Sequence, residues 1–266
     1  MSAPASGRSR RAATALPLAL AGLVGAQARV ARRRGYLPRD PGYRVDGIVA
    51  GSSRATARRP LRLAVVGDST VAGVGSPTVD TALPVLIATR LADRLGRAVR
   101  VDGFGVAGAE TLDVAITQLP AAARVRPDVL VAVCGANDVI HATAPWRLRR
   151  DVGELAARAW ELVGCTPVLG GIPLFQGVAA LPRPLREVVV AYARVQRDVQ
   201  RRAARAAELP LVEIASEASP RFAGVPASMS ADRFHPAPVG YGFWADAIAP
   251  VAAAMAPTDL SGQPQP

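Results

Sequence analysis

No lysine occurs anywhere in this 266-residue chain, cysteine and histidine occur twice each, and aromatic residues make up only 5% of it. The absence of lysine makes the formal charge of +11 a matter of arginine alone. Beside so much alanine, this is a bias toward Ala and Arg codons. A nucleic-acid binder would interleave basic residues with aromatics, and no such patch is present. The charge is also unevenly placed. Through Arg62 there are thirteen arginines and two acids, Asp40 and Asp46; from Leu63 onward there are nineteen of each sign, so the body of the chain is neutral. Two cysteines make no disulfide framework: on neighbouring parallel strands Cys134 would end one while Cys165 begins the other, too far apart to bridge. Buried free thiols are expected, which say little about compartment. No internal repeat is visible, and no metal-ligand cluster either, so no metal is expected.

Long apolar runs are scarce too. Residues 12–28 are the one candidate, at the short limit for a bilayer span and interrupted by Pro17 and Gln27. Arg8, Arg10 and Arg11 precede this run, and Arg29 and Arg32 to Arg34 follow it. The layout also fits a signal peptide cleaved at Ala26-Gln27-Ala28, although arginines just behind that site oppose translocation. A third reading is a helix lying on an anionic membrane with its arginines at the headgroups. Membrane association of residues 1–34 is the favoured expectation, with secreted and cytoplasmic locations left open. Residues 35–60, rich in Gly, Pro, Ser, Ala and Arg, read as a linker, and 257–266 as a loose tail.

The remainder, 61–256, alternates strand and helix and holds enough apolar residues for one core of roughly 200 residues. The spacing predicts strands at 61–67, 98–103, 129–134, 167–172 and 211–214. Helices are expected at 80–95 with Gly96 as the stop, and at 110–119, 146–163, 185–208 and 238–255. Five parallel strands joined by right-handed crossovers form a three-layer α/β/α sandwich. The flavodoxin-like order 2-1-3-4-5 opens a crevice between the first and third strands, between Ser69 and Asn137.

Four stretches gather at that edge. Gly67-Asp68-Ser69 breaks the first apolar strand, placing a hydroxyl at its carboxyl end. Gly103-Phe104-Gly105-Val106-Ala107-Gly108 has the G-x-G-x-x-G form of a dinucleotide loop. It follows the second strand, however, and the acid about twenty residues on, Asp128, precedes its strand and is no ribose partner. The alternative is that Gly108 lets a backbone N–H approach a substrate oxygen. Gly135-Ala136-Asn137-Asp138 places an amide at the end of the third strand, with Asp138 fixing the loop. In Asp232-Arg233-Phe234-His235, a three-residue step lets a carboxylate reach the imidazole Nδ1–H, leaving Nε2 for a nucleophile. The other histidine, His141, is read as structural or surface. Leu174 and Phe175, in a Pro-bounded apolar loop, are candidates for cradling an acyl chain.

Together these blocks resemble the SGNH (GDSL-type) hydrolases, in that family's chain order. The resemblance implies Ser69 as nucleophile, His235 as base oriented by Asp232, and Ser69 N–H, Gly108 N–H and Asn137 as oxyanion donors. It implies a cofactor-free esterase or lipase-like enzyme acting on small-molecule or lipid esters. A carbohydrate O-acetyl esterase or acyltransferase of the same family is the alternative, and a non-catalytic membrane-tethered binding module a more distant one. One departure is Gly103, where many members carry Asn.

Overall fold

Short β-branched runs bounded by glycine, proline and acids alternate with amphipathic stretches, and a wound sheet follows from that rhythm. The computed structural model describes residues 7–50 and 59–257, with side chains from residue 19 onward. The stretches 1–6, 51–58 and 258–266, parts of the expected N-terminal segment, linker and tail, lie outside the described residues. In chain order the elements are α1 (Gly7–Arg33), β1 (Asp46–Val49), β2 (Leu61–Gly67), α2 (Ser69–Ala72), α3 (Leu83–Leu95) and β3 (Val99–Gly103). Next come α4 (Thr111–Asp113), a π turn (Val114–Gln118), α5 (Leu119–Arg124), β4 (Val129–Val133), α6 (Ala136–Ile140) and α7 (Pro145–Val163). The chain ends with β5 (Val168–Gly170), α8 (Leu185–Ala206), β6 (Leu211–Val212), α9 (Ile214–Glu217) and α10 (Pro238–Ala254).

The strand order is β1-β3-β2-β4-β5-β6. Its five parallel members keep the flavodoxin-like order, with β2 between β3 and β4. Five strands were expected, and the sheet has six among the described residues. The extra one, β1, comes from the stretch read as linker and pairs antiparallel with β3, Asp46 opposite Asp102 and Val49 opposite Val99. None of its residues is fully buried, so it lacks the in–out alternation that betrays a half-buried strand. Val45 just ahead of it accepts the Gly103 N–H (2.7 Å). A Cβ at position 103 would stand 3.0 Å from the Val45 side chain, so glycine leaves room here for the incoming chain.

Helices α3 and α10 cover one face of the sheet around Leu63, Val65, Ile87 and Ile248. Helices α5, α7 and α8 cover the other around Val66, Leu130, Leu148 and Leu155, with α1 added through Ala31 and Val24. Outward, α1 exposes Leu20, Leu23 and Val30. Among the described residues, no helix is long and apolar enough to cross a membrane.

Two buried glutamines fix the strand ends where the crevice opens. Pro120 has no N–H to give the preceding turn, and the helix widens into the π turn just ahead of it. Gln118, in that turn, accepts the Gly67 N–H (2.7 Å) and donates to the Gly67 carbonyl (2.8 Å). Gln200 of α8 likewise accepts from Ile172 N (3.0 Å) and donates to the Cys134 carbonyl (3.1 Å). Replacing Gln118 by Leu would leave a buried backbone N–H unpaired, at a cost of about 1–3 kcal/mol. The expected outcome is a thermal midpoint lowered by roughly 2–4 °C per kcal/mol, followed by circular dichroism; an unchanged midpoint would contradict the role given to Gln118.

Candidate active site

The break after Gly67 is a cap. Asp68 Oδ1 accepts both the backbone N–H (2.9 Å) and the hydroxyl (2.8 Å) of Thr70, which makes Ser69 the first residue of α2. Burial next to this turn pushes the Asp68 carboxyl up, against those Thr70 bonds. Beyond α2 the chain runs close under the segment that carries His235. Gly75, at φ +93°, is needed there: a Cβ would lie 2.2 Å from the Pro236 carbonyl oxygen and 3.5 Å from His235 Cβ.

His235 Nε2 stands 3.1 Å from Ser69 Oγ, and its Nδ1 stands 2.7 Å from Asp232 Oδ2. The other carboxylate oxygen, Oδ1, accepts from Phe234 N (2.9 Å), His235 N (3.0 Å) and the Ser230 hydroxyl (2.9 Å). Burial pushes the Asp232 carboxyl up, but the bonds from the His235 ring and from the His235 and Phe234 backbone outweigh it and hold the group well below the usual carboxylate range. Arg233 completes the turn at φ +58°, a left-handed conformation that costs a non-glycine residue on the order of 1–3 kcal/mol.

Asn137 enters from α6. Its side-chain nitrogen donates to the Ala109 carbonyl (3.0 Å); an amide nitrogen carries two hydrogens, so one remains for a ligand. Gly108, next to Ala109, has φ +91° and open space where a Cβ would be. The neighbouring Asp138 is fully buried, and its Oδ2 accepts the Thr111 N–H and hydroxyl, both at 3.0 Å. It thereby ties the Asn137 turn to the loop behind Gly108. Burial pushes this carboxyl up to about 6, opposed by the Thr111 bonds and reinforced by the charge of Glu110.

A cavity of about 630 Å³ opens on these groups. Ser69, Asn137 and His235 line it, as do Leu174 and Phe175 from the apolar loop. Gly108 is not among its lining residues. Val178 of the same loop and Phe234 also line it, and further wall not foreseen from sequence comes from Phe222, Val225 and Met229 after α9 and from Trp244 of α10. His141 lies outside the cavity, its Nδ1 2.8 Å from Glu110 Oε1. Asp128 binds Arg59 and Arg62 at the amino end of β4, away from the glycine loop, and those partners hold its carboxyl down to about 2 despite burial. Asp128 is therefore no ribose partner for that loop. Both cysteines are free thiols, and no metal-binding group of His, Cys, Asp and Glu occurs among the described residues.

Sequence reasoning passed over Gln118 and Gln200, although a glutamine on the apolar stripe of a helix is a usable signal. It also passed over Tyr36 and Leu37. The Tyr36 ring packs 5.0 Å from Phe234, and the Leu37 N–H donates to Asp232 Oδ2 at 3.3 Å.

Fold and site together define an α/β sandwich with a serine–histidine–aspartate array at its topological switch point. The chain belongs to the GDSL-like Lipase/Acylhydrolase family, whose sequence model matches residues 65–243. It is 32% identical over 197 residues to the GDSL-like esterase Rv1075c of Mycobacterium tuberculosis, a match that spans 71% of this chain and 60% of that relative's length. Among solved structures, TesA shares 26% identity at a TM-score of 0.59, covering 73% of this chain and 99% of its own. The lipase/acylhydrolase of Enterococcus faecalis, at 20% identity and a TM-score of 0.60 over 76% and 100% of the two chains, shares the fold.

Two outcomes follow from this geometry. Gly75→Ala forces the Ser69 turn away from His235, so kcat on an activated ester should fall at least tenfold while the thermal midpoint moves by a few degrees; steady-state kinetics beside a melting curve tests this. Asp138 holds its proton to about pH 6 when folded, against an ordinary value of 3.8. Its contribution to stability is therefore greatest below the lower value and declines as pH rises through the higher one. In melting curves, Asp138→Asn should gain on the parent protein between about pH 4 and pH 7; a constant difference across that window would contradict the shift.

Proposed function

We propose that this protein is a serine esterase of lipase-like preference, hydrolysing carboxylic esters with an apolar acyl chain through an acyl-enzyme on Ser69. The observation that carries the reading is the 3.1 Å approach of His235 Nε2 to Ser69 Oγ at the floor of the apolar cavity. In acylation, Ser69 Oγ attacks the carbonyl carbon while Nε2 takes the hydroxyl proton. Asp232 keeps Nδ1 protonated and stabilises the imidazolium as it forms. The second Asn137 N–H, with the Ser69 and Gly108 N–H groups, receives the tetrahedral oxyanion. Collapse expels the alcohol, which leaves with the proton from Nε2. Water then repeats the sequence on the acyl-enzyme, with His235 again as base, and releases the acid.

Leu174, Phe175, Val178, Phe222 and Met229 offer the acyl group an apolar wall. That wall favours a hydrocarbon chain over the carbohydrate O-acetyl ester also considered from sequence, since a sugar needs a polar lining. We infer also that residues 61–256 form the catalytic body, to which β1 and the stretch ahead of it are joined by pairing and packing, and that α1 lies on anionic membranes through exposed Leu20, Leu23 and Val30 beside Arg29, Arg32 and Arg33.

Ser69→Ala should abolish turnover of p-nitrophenyl esters and labelling by a fluorophosphonate. Asn137→Ala should lower kcat by roughly 10²–10³-fold with little change in KM. Across acetate, butyrate, octanoate and laurate, kcat/KM should rise with chain length. Ester turnover that survives Ser69→Ala would sink the mechanism, and a profile peaking at acetate would move the assignment to acetyl esters. Co-sedimentation with anionic but not neutral vesicles tests the membrane contact.

A further inference from the structure

On its way from α1 to β1 the chain passes the Asp232-to-His235 turn and is bonded to the body along that passage. Gln27 at one end accepts the Leu185 N–H (3.0 Å) and donates to the Arg183 carbonyl (2.7 Å). Arg34 donates to the Ala180 carbonyl (3.3 Å). Ala180 in turn donates to the Arg233 carbonyl (3.2 Å), inside the Asp232-to-His235 turn. Tyr36 then lays its ring on Phe234 (5.0 Å between centroids), and Phe234 stands edge-on to His235 (5.1 Å). Finally the Leu37 N–H reaches Asp232 Oδ2, the oxygen that also accepts His235 Nδ1–H. The other donors to this carboxylate, from Ser230, Phe234 and His235, all go to Oδ1.

We propose that Tyr36 and Leu37 are positioning residues for catalysis: the Leu37 N–H orients Asp232 Oδ2 toward His235 Nδ1, and the Tyr36 ring braces the turn that carries the imidazole. The proposal rests on the esterase reading above. A carboxylate oxygen with one donor turns to follow it, and one with two donors in fixed directions does not. The segment read from sequence as linker therefore supplies part of the surroundings of Asp232, and Tyr36 and Leu37 belong to the working enzyme.

The test uses full-length protein and paired variants. Leu37→Pro deletes the N–H, and Leu37→Ala keeps it; Tyr36→Ala deletes the ring, and Tyr36→Phe keeps it. Leu37→Pro and Tyr36→Ala should each lower kcat on p-nitrophenyl octanoate about tenfold, with KM changed by less than about twofold. Each should also shift the downfield proton resonance of His235 Nδ1–H. The two conservative variants should restore kcat to within about twofold of the parent. Unchanged kcat and an unmoved resonance in Leu37→Pro and Tyr36→Ala would overturn the proposal. So would a loss that each conservative partner shares in full, since that is what plain destabilisation produces. The resonance needs no turnover: if the chain proves not to be an esterase, it still reports whether Tyr36 and Leu37 hold the Asp232–His235 pair.

Discussion

A carboxylate removed from water must be surrounded by donors, and Asp232 meets that demand five times over, with three donors on one oxygen and two on the other. These five donors serve three requirements of the fold. Ser230 and the Phe234 and His235 amides close the turn, the imidazole links it to Ser69, and Leu37 binds it to the chain arriving from α1. Because the group is buried and ionised, losing any partner is expensive. The turn therefore has one arrangement, and the imidazole inherits its direction from it.

The sheet supplies the other half of the arrangement. With β2 between β3 and β4, the crossovers after β2 and β4 leave toward opposite faces and a crevice opens between their ends. Ser69 and Asn137 sit on those two ends. The gap would be soft if the strand termini frayed, and Gln118 and Gln200 prevent that by bonding backbone groups that have run out of strand partners. Asp138 does the same for the loops, joining the Asn137 turn to Thr111 at the energetic expense of burying a carboxyl. The rigidity of the site thus comes from polar side chains set inside an apolar sandwich.

Most of this was legible where a residue's role depends on its neighbours in sequence. The parallel strands announce themselves as apolar runs, Gly96 as a helix stop, and the Asp232 to His235 spacing as a carboxylate within reach of an imidazole. What depends on distant partners was hidden. Strand β1 has no buried residue to give it a period, so Asp46 to Val49 read as linker. Gln118 falls on the buried stripe of Thr111, Val114, Ala115, Leu119 and Ala122, but the backbone groups it bonds lie on a strand some fifty residues earlier. The cavity wall at Phe222, Val225 and Met229 comes from a stretch without regular spacing, and only the fold brings it opposite Leu174 and Phe175. Leu37 acts through its backbone, which side-chain patterns cannot report at all.

The sheet's two borders carry a consequence of their own. One is β1, four residues long and running against its neighbour; the other is β6, with two residues. An open border with a row of unpaired amides invites another chain to continue the ladder, and its danger grows with its length. Here the longer β3 is shielded by a short antiparallel strip, and the far margin ends almost as soon as it begins. Neither border of the sheet thus offers a long ladder for another strand to extend.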